Sequence, residues 1–160
     1  MATGGGLGRV VSGVIVNGAD ALAAQLRTMG KVGDARMERL IRHYGYLLQT
    51  RVKARASGRP GPNVVTGDYR RSIGVQFYRD PKAGFVAVIG TNKPQGARLE
   101  FGFHGMDSLG RSYDQPPYPH FGPAFDQTKP ELESAADLTV TNLIAEARRG
   151  FASGLGGSKK

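Results

Sequence analysis

From about Ala19 to Ala56 the apolar positions fall on one side of a helix. Leu22, Leu26 and Met29 are spaced by four and three. Met37, Leu40, Ile41, Tyr44, Leu48 and Val52 then continue the i, i+3, i+4, i+7 stripe. Arg36, Arg39, Arg42, Arg51, Lys53 and Arg55 mostly occupy the other faces. The pattern predicts one long amphipathic helix, weakened at Gly30 and Gly33, where each glycine costs about 1 kcal/mol relative to alanine. Gly45, within the stripe, predicts close approach by another element. The segment SGRPGPNVVTG (57–67) must end the helix in a loop. The period then changes to two. Across Tyr69–Arg79, Ile73, Val75 and Phe77 alternate with Ser72, Gly74 and Gln76; Asp80–Gly84 is a turn, and Phe85–Gly90 returns as a hairpin partner. Arg98–Phe103 reads as a third strand. Residues 104–122 form a Gly/Pro/Tyr-rich loop of a length that is usually functional or disordered. Thr128-Lys129-Pro130-Glu131 fits a capping box with Thr128 as N-cap, opening a second helix whose stripe is Leu132, Ala135, Ala136, Thr139, Leu143 and Ala147. The class is α+β: a long N-terminal amphipathic helix, a small antiparallel β-sheet, a long Gly/Pro-rich loop and a C-terminal helix.

At 160 residues the chain fits one domain with one core. Gly-rich ends divide it into a flexible or extended arm (1–18), a single α+β domain (19–152) and a disordered tail (153–160). Residues 9–23 loosely mimic a signal peptide, but Asn17 and Asp20 break its apolar run, and no stretch is long enough to cross a bilayer. A soluble cytosolic product is expected. With no cysteine, disulfides, thiol nucleophiles and thiolate metal sites are excluded.

Charge changes the picture more. Residues 27–71 hold eleven basic and three acidic side chains, a net of +8; residues 113–146 hold one basic and six acidic, a net of −5. Such a chain can stack on copies of itself or bridge surfaces of opposite sign. Catalytic chemistry is thin. His43, His104 and His120 lack metal-binding spacing, Gly90-Thr91-Asn92-Lys93 is no phosphate loop, and Ser57 and Ser72 have no evident base. No catalytic residue, metal or cofactor is expected. A basic surface of Arg36, Arg39, Arg42, Lys53, Arg55, Arg59, Arg70 and Arg71 suits phosphates, although basic runs on amphipathic helices are more often solvated faces. No base-reading motif accompanies it.

Four stretches follow one another in order: Thr66-Gly67-Asp68-Tyr69-Arg70-Arg71-Ser72-Ile73, Val88-Ile89-Gly90-Thr91, Leu99-Glu100-Phe101-Gly102 and Pro116–Ala124 (PPYPHFGPA). With the helix before them, they resemble the neck or tail-completion family of long-tailed bacteriophages over about residues 20–150. That family's pattern runs helix, proline loop, T-G-x-L-R-x-S-I, a strand ending V-G-T, E-F-G, P-x-x-P-F-x-x-P-A and a final helix. Tyr69 replaces the leucine after T-G-x, the loop from His104 to Gln115 is longer than usual, and His120-Phe121-Gly122 replaces phenylalanine-leucine-arginine.

The resemblance implies a structural virion protein: a homo-oligomeric ring at the head–tail junction that joins the DNA-filled head to the tail. The implied partners are further copies of itself, head-closure or portal-side connector proteins, a tail terminator or tail tube protein, and genomic DNA in the channel, with no membrane. Arg36, Arg39, Arg42, Arg55, Arg59, Arg70 and Arg71 are candidate subunit or DNA contacts. Pro116, Pro117, Tyr118, Pro119 and Phe121 form a candidate interface loop, and Asp126, Glu131, Glu133 and Asp137 an acidic counter-surface. Phe101, Phe121 and Phe125 read first as core aromatics and second as interface anchors. The alternatives are a small basic sequence-independent DNA-binding protein, or a tail terminator capping the tube.

Overall fold

The computed structural model describes the backbone of residues 10–11, 14–15 and 19–155, and side chains from 23 to 150. The Gly-rich ends 1–8 and 156–160 lie outside the described residues. A two-residue ladder, β1 (Val10–Val11) with β2 (Val14–Ile15), precedes α1 (Ala19–Arg55). The rest is α2 (Asp68–Ser72), β3 (Gly74–Asp80), β4 (Gly84–Gly90), α3 (Gln95–Phe101), β5 (Phe103–Met106), β6 (Ser112–Gln115) and α4 (Phe121–Leu155). The α+β class and the helix–hairpin–loop–helix order therefore hold.

Helix α1 runs 37 residues without a break at Gly30 or Gly33, about 55 Å at 1.5 Å per residue. It packs antiparallel on the 35-residue α4, with Gly33 against Leu143. The strands form separate antiparallel two-stranded ladders rather than one sheet. The β3–β4 hairpin, turned by Asp80 Oδ1 accepting the Lys82 and Ala83 N–H groups, lies on the middle of α1. Gly45 explains how it gets so close: a Cβ there would stand 2.8 Å from the Phe77 ring.

Three boundaries differ from the sequence reading, each for a local reason. Tyr69–Ser72 is not strand. Asp68 bonds Thr66 Oγ1 through both its side chain and its N–H and ion-pairs with Arg71, winding one short helix before β3 begins. Arg98–Phe101 is helix, not a third strand. Gly102, at φ +80 with its backbone against Gln115 O, turns the chain out of α3 into β5. The supposed loop 104–122 holds the β5–β6 hairpin and the start of α4, so Thr128 is no N-cap. Its hydroxyl donates to Ala124 O in the second turn, and Pro130 lies inside the helix.

The core is small. Among the described residues, Val52, Ala56, Ile73 and Ala124 are its buried apolar members, with Leu48, Tyr69, Ile89 and Phe121 packed around them. Many large apolar side chains stay exposed, including Phe101 (81%), Leu109 (74%), Met106 (70%) and Leu138 (62%).

Candidate assembly surfaces

The four sequence stretches converge on one buried knot. His120 is fully buried; its Nε2 lies 2.6 Å from Tyr69 Oη, and its Nδ1 2.9 Å from Tyr118 O and 3.1 Å from Glu100 Oε2. Tyr118 O can only accept, so Nδ1 carries the proton and Nε2 accepts from the Tyr69 hydroxyl. Burial, followed by the nearby Glu100 charge, pushes the Tyr69 hydroxyl up to about 12, which keeps it a donor. Glu100 closes the knot from α3. Its Oε2 accepts the His120 and Phe121 N–H groups at 2.9 and 3.0 Å, and its Oε1 the Gly122 N–H at 2.8 Å. Burial alone would raise the Glu100 carboxyl, but these three N–H donors outweigh it and hold the group below its usual value. A carboxylate at a helix N-terminus also meets the positive end of the macrodipole. The second stretch joins through Thr91, whose hydroxyl is 2.6 Å from Ser72 Oγ. No described buried side-chain polar atom lacks a partner.

The two halves of opposite charge meet inside one molecule. Arg36 makes a two-pronged contact with Glu146, at 3.0 and 2.8 Å. Arg51 reaches Thr128 at 3.0 Å and grips Glu131 at 2.9 and 3.0 Å. Arg42 bonds Glu38 while lying over the Phe77 and Phe85 rings, and Arg71 pairs with Asp68. Of the other basic candidates, Arg55 touches only the neutral Gln127 at 3.4 Å, and Arg59 stacks 3.9 Å over the Tyr118 ring. Both border a cleft of about 440 Å³ that also includes Pro119. Arg39 and Arg70 are exposed and have no ion pair among the described residues. On the acidic side, Glu133 faces Lys129 at 3.9 Å, while Asp126 and Asp137 are exposed and have no ion pair among the described residues.

The proline loop splits its candidates. Tyr118 and Phe121 turn inward, the first donating its N–H to Leu99 O at 2.7 Å and the second packing on the core. Pro116, Pro117 and Pro119 stay exposed. Phe101 and Phe125 are corrected from core aromatics to surface ones, at 81% and 52% exposure: α3 ends at Phe101 where the chain turns away, and Phe125 stands at the open mouth of a groove between α1, β4 and α4.

Sequence reasoning missed two organisers. Glu100 caps a helix that begins 21 residues later, beyond any local capping pattern. Asp107 orders the β5–β6 turn, accepting the Leu109 and Arg111 N–H groups at Oδ1 and the Arg111 and Tyr113 side chains at Oδ2. Its signal was present, since Asp107-Ser108-Leu109-Gly110 places Asp and Gly at the first and last positions of a type I turn.

Residues 20–102, just over half of the chain, match the family model described as Bacteriophage HK97-gp10, putative tail-component. The chain belongs to this family. The match carries the first three stretches, and the Tyr69–His120 and Glu100 contacts bind the unmatched PPYPHFGPA stretch to them. No curated protein and no solved structure matches the chain. As a phage tail component the HK97-gp10 family member is virion-associated, and none of its described helices is long and apolar enough to cross a membrane.

Proposed function

We propose that this tail component is a neck or tail-completion protein, a closed ring of identical subunits that joins the DNA-filled head to the tail. The observation that carries the proposal is the mismatch between two helices some 50 Å long and a core of four buried apolar residues among those described. A chain with that much uncovered apolar surface is built to be completed by neighbours. On this reading it is a structural component, not an enzyme, and it needs no cofactor. Its partners are its own copies, the connector proteins on the portal side, the terminator or tube protein below, and the DNA in the channel. Arg70, Arg39, Arg55 and Arg59, which hold no carboxylate among the described residues, are the basic contacts left for these partners. A free-standing DNA-binding role is disfavoured, because Arg36, Arg42, Arg51 and Arg71 already pair with internal carboxylates.

The test is electron microscopy of a lysate from a phage lacking this gene product. Filled heads beside separate tails of normal length are expected. Overlong tubes would make it a terminator, and intact infectious particles would overturn the assembly role.

A further inference from the structure

A closed ring needs two different surfaces on each subunit, one fitting the other. The chain carries such a pair. The β5–β6 hairpin packs extensively against no other element, yet the Asp107 hydrogen bonds hold its turn in one shape. Its end presents Met106 at 70% and Leu109 at 74% exposure, an apolar tip on a preordered arm. Holding the arm in shape beforehand lowers the ordering cost of docking.

Elsewhere, α1, β4 and α4 enclose a groove of about 390 Å³ walled chiefly by Ile41, Tyr44, Leu48, Phe85, Phe125 and Leu132. It opens where Phe125 is half exposed and continues inward to Leu48 and Ile89, which pack on the buried core. An apolar side chain entering it would extend that core. The rim carries Lys129 and Glu133, and the arm carries Arg111 and Asp107, so each side offers both signs around an apolar centre. That is the layout of a specific interface.

We propose that the β5–β6 tip of one copy, through Met106 and Leu109, inserts into the α1–β4–α4 groove of the next copy in the ring. This assignment rests on the ring reading above and names its contact.

The absence of cysteine makes the test clean. Separately purified Leu109→Cys and Phe125→Cys proteins, both changed at exposed positions, should form a disulfide-linked heterodimer when mixed under mild oxidation. A chain carrying both changes should give a ladder of higher species. Leu109→Asp should keep the wild-type melting temperature and weaken self-association by about thirtyfold or more, because it would carry an unpaired carboxylate into the groove. If wild type self-associates and Leu109→Asp does so equally, or if only like-with-like disulfides appear, this contact is wrong and the ring reading stands. A chain that remains monomeric even when concentrated overturns both.

Discussion

The pair Tyr69–His120 gives the sharpest test of the knot, because the two residues touch each other and tie the matched part of the chain to the unmatched PPYPHFGPA stretch. Tyr69→Phe removes one hydroxyl and keeps the ring, which sits edge-on to the imidazole with centroids 5.5 Å apart. It strands Nε2 of a fully buried histidine, a loss of about 1–3 kcal/mol. His120→Phe strands the Tyr69 hydroxyl, which is only half-buried and so nearer to water, and it also frees Tyr118 O; the cost is again about 1–3 kcal/mol. The double variant leaves two apolar rings facing each other and no orphaned partner between them. Replacing both members of a hydrogen-bonded pair is far cheaper than replacing one, so the double should be more stable than the sum of the singles by about 1–2 kcal/mol. At roughly 2–4 °C per kcal/mol for a chain of this size, the gap is readable by thermal melts and denaturant titration. Additivity within about 0.5 kcal/mol would mean that the 2.6 Å contact is not an energetic unit and that the knot reasoning is wrong.

Glu100→Ala should lower stability by about 2–4 kcal/mol, because three N–H groups lose a charged acceptor, and circular dichroism melts would show it. The Glu100 carboxyl is depressed in the folded state, so its stabilisation is full above the unfolded value, near pH 4.3, and fades as pH falls below it. Wild type should therefore be more acid-sensitive than Glu100→Ala over that window; parallel pH profiles would refute the assignment. Gly45→Ala gains about 1 kcal/mol of helix propensity but forces a methyl against the Phe77 ring, for which overpacking costs of about 1–3 kcal/mol are usual. A net loss is expected in urea titration, and a gain would show that the hairpin slides aside freely. Arg51→Glu should destabilise the helix pair and Arg51→Glu with Glu131→Arg should recover part of the loss; no recovery in a double-mutant cycle would remove that contact from the account.

The long helix was legible because its stripe resumes with Met37 beyond the weak point at Gly30 and Gly33, and Gly45 announced a neighbour because nothing in a helix otherwise favours glycine there. The β3–β4 hairpin was equally plain from its alternation and its Asp-Pro-Lys-Ala-Gly turn. What failed was short and decided from a distance. Arg-Leu-Glu-Phe alternates like a strand, but Glu100 is needed as a cap on α4, and only a helix delivers it there. Thr128 looked like a cap because the local pattern was right; the donors that it would have served already belonged to the middle of a helix capped from elsewhere. The segregation of charge was plain in the sequence, but sequence alone does not show that Arg36 and Arg51 find their carboxylates on the same chain.

That pairing has a geometric consequence. Arg36 and Arg51 are fifteen residues apart on α1, and their partners Glu146 and Glu131 are fifteen apart on α4. The two rungs therefore sit at the same separation, about 22 Å, along both helices. Sliding α4 by one turn, 5.4 Å, would set Arg36 opposite Asn142 or Gly150 and Arg51 opposite Gln127 or Ala135, and both rungs would come apart together. Neither pair need be strong for this to matter. Because they break only in concert, they act as a vernier that admits one alignment of the helix pair, and so fix the height at which anything mounted on α4 is held relative to anything mounted on α1.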